Sequence, residues 1–170
     1  MIIQEITDDF QQPLRDRRVL LSMELLAAST LESNDRARFV MAVSALEPLA
    51  QQAPLGDEVD RFVERALADL RADGALPLHL RASLEGRLRQ LRTESVRQAL
   101  SRLCAKWFPG DRTARDTIDH VYALRSEILH EGRVSDLDTL LGVETLKVRQ
   151  YLRRIYEQEF ARAFRVGTTV

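Results

Sequence analysis

Arg125 and His130 stand near the end of one apolar run: Tyr122, Ala123, Leu124, Arg125, Ser126, Glu127, Ile128, Leu129, His130, Glu131, Gly132. An imidazole accepts or delivers a proton near neutrality, and a guanidinium holds a phosphate and stabilises charge developing on it. The two together suit acid–base chemistry on a phosphate ester. Their spacing complicates this. With Ile118 set at zero on a helix of about 100° per residue, Val121, Tyr122, Ile128 and Leu129 fall near 300°, 40°, 280° and 20°. Arg125 falls at about 340°, inside that apolar arc, and His130 at about 120°, outside it. If they cooperate, a second surface must complete the site, and a second protomer is the natural source. A buried guanidinium is costly unless paired. Arg125 therefore has a purely structural alternative, an ion pair with a core acid such as Glu24 or Glu47, with His130 helping to close the helix.

The elements that would position these residues are all helical. An apolar helix is expected over about 18–32, carrying Val19, Leu20, Met23, Leu26 and Ala27. Ser33, Asn34 and Asp35 offer caps for a second, over about 35–51, with Phe39, Ala42, Val43, Leu46 and Leu49 as its stripe. The Ala53–Asp57 turn leads to a third, with Asp57 able to cap it, ending by about Ala72 before Asp73 and Gly74. Leu80, Leu84, Leu88 and Leu91 mark a helix over about 77–92, and Thr93 or Ser95 can cap the next, which runs to Trp107. Phe108-Pro109-Gly110-Asp111 breaks the chain. The helix bearing Arg125 follows from about Thr113, closed by Gly132, and a last helix is expected over about 144–164. Short connections favour an up-and-down bundle with additional short helices. Residues 1–17 read as an arm or the remnant of a preceding domain, 18–165 as one domain, and 166–170 as a tail.

Composition narrows the function classes. Hydrophobic residues make up 45% and charged residues 30% of 170 residues, as in an ordinary globular domain. No apolar run approaches the roughly 20 residues of a membrane span, and the N-terminal residues lack a signal pattern. The single cysteine, Cys104, excludes an internal disulfide and fits the reducing cytoplasm. Net charge is −1, so any contact with nucleic acid must come from a local patch.

The run around Arg125 and His130 resembles the Arg-x4–6-His signature of HEPN domains, and more closely the Apea-like HEPN group, through Tyr122, Arg125, Ser126, His130 and Gly132. The stretches Leu21–Leu26 and Arg38–Glu47 extend the likeness, which covers about residues 18–160. Arg115 and His120 form a second match to the bare spacing, as a short motif produces by chance. The flanking Tyr122 and Gly132 select the first. The resemblance implies an all-helical HEPN-like bundle of a defence or toxin system, acting as a homodimer with an antitoxin or other protein partner. In the catalytic members, the resemblance implies, two such motifs face each other and cleave RNA without metal, leaving a 2′,3′-cyclic phosphate. Arg125 and His130 would then be catalytic, with Tyr122, Ser126, Glu47 and Glu24 in support. The alternative is a catalytically silent module that dimerises or binds RNA or protein.

Other constellations carry less. Asp116, Asp119 and His120 have poor spacing for a metal and no Cys/His cluster supports them, so no metal is expected; no cofactor is expected either, and the lack of a glycine-rich phosphate loop disfavours a nucleotide-hydrolysing enzyme. Cys104 on an apolar face reads as packing. Arg81, Arg87, Arg89, Arg92 and Arg97 read as a solvated face rather than an RNA track. Tyr151, Tyr156, Phe160 and Phe164 read as core or dimer packing.

Overall fold

The helix starts follow from side chains that replace missing backbone partners. Asp16 accepts the N–H of Arg18 at 3.0 Å and opens α1 (Arg17–Leu31). Asn34 accepts the N–H groups of Arg36 and Ala37 at 2.9 and 3.2 Å and opens α2 (Asp35–Ser44). A 3-10 turn (Glu47–Leu49) follows. The helix expected to 51 stops at Ser44, because Pro48 has no N–H to continue the ladder. Gly56, at φ 99°, occupies the cap of α3 (Asp57–Ala72), so Asp57 is not the cap but part of an acidic first turn with Glu58 and Asp60. Pro77 precedes α4 (Leu78–Gln90). Ser95 and Gln98 exchange hydrogen bonds in a capping box at the start of α5 (Val96–Trp107). Asp111 caps α6 (Arg112–Glu131) through the N–H of Ala114 at 2.9 Å, and α7 is Leu141–Gly167.

This computed structural model describes residues 16–134 and 139–167, the side chains of 162–167 excepted. All regular elements among the described residues are helical. Most of the arm expected over 1–17, and the end of the tail expected over 166–170, lie outside them. No helix among the described residues is long and apolar enough to cross a membrane.

The described residues form two compact units, one made of those up to Ala50 and from Leu100 onward, the other of Gln51–Ala99. In the first unit α2 packs against α1, α6 and α7, an arrangement with which an up-and-down bundle is compatible. That placement explains why its Phe39, Ala42 and Val43 are fully buried. A residue such as Phe39 contributes about 1.5–3 kcal/mol by leaving water. Ile118, Val121, Leu124 and Ile128 of α6 and Val148, Leu152 and Ile155 of α7 complete this core. The buried positions of α1 are Val19, Ser22 and Ser29, while Leu20 and Leu21 face outward. Ser22 Oγ donates to the Ala45 carbonyl at 2.5 Å and lies 2.7 Å from the Tyr156 hydroxyl, joining α1, the end of α2 and α7. Cys104 is buried, as expected of packing, and burial pushes its thiol from 9.0 up to about 11.

In the second unit α3, whose Val63 and Leu67 are buried, packs against α4, which has no fully buried residue. An Arg71–Glu85 ion pair at 2.8 Å and contacts of Arg92 with Asp60 and Glu64 join the two helices. Leu55 and Glu94 donate backbone hydrogen bonds to Arg92 and Ala53, each at 2.8 Å, and tie the strap before α3 to the end of α4.

Candidate functional site

Contacts at both ends of the seam between α2 and α6 show that these helices run antiparallel. Arg36, in the first turn of α2, donates to the Gly132 carbonyl at the end of α6, at 3.2 Å. At the other end Arg125 Nη2 donates to Ser44 Oγ at 3.4 Å and lies 3.1 Å from Glu47 Oε1. The Arg125 side chain is 20% exposed and that of Glu47 34%. The helix-wheel expectation that Arg125 points inward is thus met at the margin of the core, in a half-buried notch. Its Nε is buried without a partner, and its Cζ lies 5.7 Å from the centre of the Tyr122 ring. The guanidinium is therefore anchored by a carboxylate and a hydroxyl on one side and by an aromatic face on another.

Tyr122 senses the same pair. Burial holds its phenol above the ordinary range, the charge of Glu47 adds to this, and Arg125 opposes it. Ser126 is half-buried and makes no hydrogen bond to Arg125 or Glu47. Glu24 is exposed on α1 and forms no ion pair among the described residues, so the acid that meets Arg125 is Glu47 alone of the two candidates. The cause lies in the order of elements: the 3-10 turn returns Glu47 to α6 after α2 ends, whereas Glu24 lies on the solvent flank of α1.

His130 is exposed in the last turn of α6, which Gly132 ends with a left-handed φ of 69° and an N–H to the Ile128 carbonyl at 3.1 Å. It lies five positions beyond Arg125, about 7.5 Å along the helix axis. The monomer brings Arg125, Glu47, Ser44 and Tyr122 together and leaves His130 on open surface. Sequence reasoning missed Ser44 and Arg36. Arg36 shows no periodicity that would mark it, and only the pairing of α2 with α6 brings it to the end of the helix that bears His130.

The second Arg-x4-His match lies on another face of α6. His120 is exposed, with Nε2 3.9 Å from Glu144 Oε2, while Lys147 meets Glu144 Oε1 at 2.7 Å. Arg115 is exposed. No group of three His, Cys, Asp or Glu side chains among the described residues is placed to hold a metal ion. In the basic stretch, Arg89 pairs with Glu85, Arg92 with Asp60 and Glu64, and Arg81 donates to the carbonyls of Asp73 and Leu76. These contacts take up much of the charge that an RNA track would present. Tyr156 is buried, Phe160 half-buried, and Tyr151 packs edge-on to Phe108 with ring centres 5.3 Å apart. The side chain of Phe164 lies outside the described residues. No family model, curated protein or solved structure matches the chain.

Proposed function

We propose that this chain is a HEPN-like ribonuclease module of a defence or toxin system, acting in the cytoplasm as a homodimer that cleaves RNA without a metal ion. The observation that carries the reading is the division of labour along α6. Arg125 is oriented in a notch by Glu47 and Ser44, and His130 stands free on the surface beyond it. An oriented arginine with part of its guanidinium open to solvent suits a phosphate, and an unencumbered imidazole suits proton transfer. The two copies in a dimer would supply two arginines and two imidazoles around one scissile bond. One imidazole takes the proton of the 2′-hydroxyl as its oxygen bonds to phosphorus. The other protonates the departing 5′-oxygen, giving a 2′,3′-cyclic phosphate and a 5′-hydroxyl. Arg125 holds the phosphate as negative charge builds on it. An antitoxin or other protein partner would act by covering this surface.

The Arg125–Glu47 contact favours a second reading. A carboxylate at 3.1 Å offsets much of the guanidinium charge, as in a residue that fixes α6 onto the end of α2. The chain would then be a catalytically silent dimerisation or binding module. An RNA cleavage assay in EDTA, comparing the wild type with His130→Ala, separates the two. Loss of cleavage in the variant supports the enzyme. Equal cleavage in both, or none in either, sinks the catalytic reading.

A further inference from the structure

Arg36 is the second arginine of the α2–α6 seam. It is exposed, and among the described residues the one hydrogen bond of its side chain goes to the Gly132 carbonyl, at 3.2 Å, at the C-terminal end of α6 where the helix dipole favours a cation. It makes no ion pair among the described residues, although acids stand close to it in the chain and at the helix end it touches. Those acids are matched elsewhere: Asp35 meets Arg38 at 2.7 Å, and Glu131 meets Arg133 at 3.4 Å. An arginine has five N–H donors in a rigid fork, and one bond to a carbonyl leaves most of them directed at solvent. The position is also specific. Arg36 lies at the end of α6 that carries His130, on the same seam that holds Arg125 at its other end. Arg125 and Gly132 are about 10.5 Å apart along α6, too far for the two guanidinium groups to share one phosphate.

We propose that Arg36 is a second phosphate-binding arginine of this site, holding an RNA backbone phosphate that flanks the scissile one. The inference rests on the ribonuclease reading given above and deepens it: the substrate is single-stranded RNA, engaged through more than one phosphate along the α2–α6 seam. Each phosphate neutralised releases counterions, so the contact carries its own salt dependence.

The test uses the full chain, a fluorescein-labelled single-stranded oligoribonucleotide and a dinucleoside monophosphate, which has only the scissile phosphate. Arg36→Gln keeps an N–H donor but removes the charge, and Arg36→Lys keeps the charge. For the oligonucleotide, Arg36→Gln is expected to raise KM about tenfold with kcat unchanged, while Arg36→Lys stays near wild type. For the dinucleoside monophosphate neither variant changes KM or kcat. In the His130→Ala background, Arg36→Gln weakens oligonucleotide binding about tenfold and makes the plot of log K against log salt shallower by about 0.7. Wild-type KM in Arg36→Gln, or equal losses in both variants on both substrates, overturns the inference while leaving the ribonuclease reading intact. Absence of both cleavage and RNA binding in the wild type overturns both.

Discussion

Arg125 and Glu47 form an ion pair, Nη2 to Oε1 at 3.1 Å, that ties the middle of α6 to the turn after α2 at the margin of the core. The pair is neither fully buried nor freely solvated. Its strength should fall between the negligible contribution of exposed pairs and the several kcal/mol lost on breaking a buried one.

Removing Arg125 loses the ion pair, the Ser44 contact and the packing on Tyr122. Arg125→Ala is expected to destabilise the protein by ~1–2 kcal/mol, and Glu47→Gln by ~1 kcal/mol. Urea denaturation midpoints measure both. The double variant should lose less than the sum of the two, since either substitution already breaks the pair. Additive losses would mean that the two side chains are not coupled.

Ser22 holds two partners in the core, and the two ways of breaking the group differ in cost. Tyr156→Phe leaves Ser22 bonded to the Ala45 carbonyl and is expected to cost ~1 kcal/mol. Ser22→Ala strips both the Ala45 carbonyl and the Tyr156 hydroxyl of this partner and is expected to cost ~1–3 kcal/mol. Thermal or chemical denaturation that ranks the two in the opposite order would contradict this account.

Gly132 adopts a φ of 69° with open space where a Cβ would stand. The penalty for Gly132→Ala is therefore conformational rather than steric, ~1 kcal/mol. On the ribonuclease reading proposed above, if the end of α6 also sets the position of His130, RNA cleavage should fall by more than the melting shift explains. A melting temperature equal to wild type would remove the conformational argument.

Alkaline pH should weaken the fold through Cys104. The unfolded thiol is half ionised at 9.0, while the buried one reaches that point only at about 11. Above 9.0 the unfolded state binds fewer protons than the native state, so the contribution is fully present below that pH and is lost as pH rises towards 11. Tyr156, raised by burial, acts in the same direction. Denaturation midpoints measured across this window should fall, and fall less steeply in Cys104→Ala. An identical pH profile in that variant would rule the thiol out.

The helices were readable because their signals are local. Asn34, Ser95 and Gly132 act within a few residues of where they stand, and each closes or opens a helix as its side chain or lack of one dictates. Pro48 was an equally local signal against the expected extension of α2 to 51. The site was harder to read. The pattern around Arg125 announced that it points inward but offered two acids, and only the return of the chain through the 3-10 turn selects Glu47. Arg36 carried no signal, because its meaning depends on which helix lies beside α2. Ser22 and Ser29 were hidden for a related reason: the buried face of α1 is partly polar, so counting leucines directs attention to the wrong side.

The enclosure of α2 sets how much of its packing is at hand as the chain leaves the ribosome. Its neighbours include α1, made just before it, and α6 and α7, made long after. The Gln51–Ala99 unit is continuous, so all its contacts are in hand once it has emerged. The unit around α2 is split by it, and α2 waits with Phe39 and Val43 unsheltered until α7 has been translated. During that interval the middle of the protein can be settled while its beginning still awaits its end, and this is when a chaperone would find most to hold.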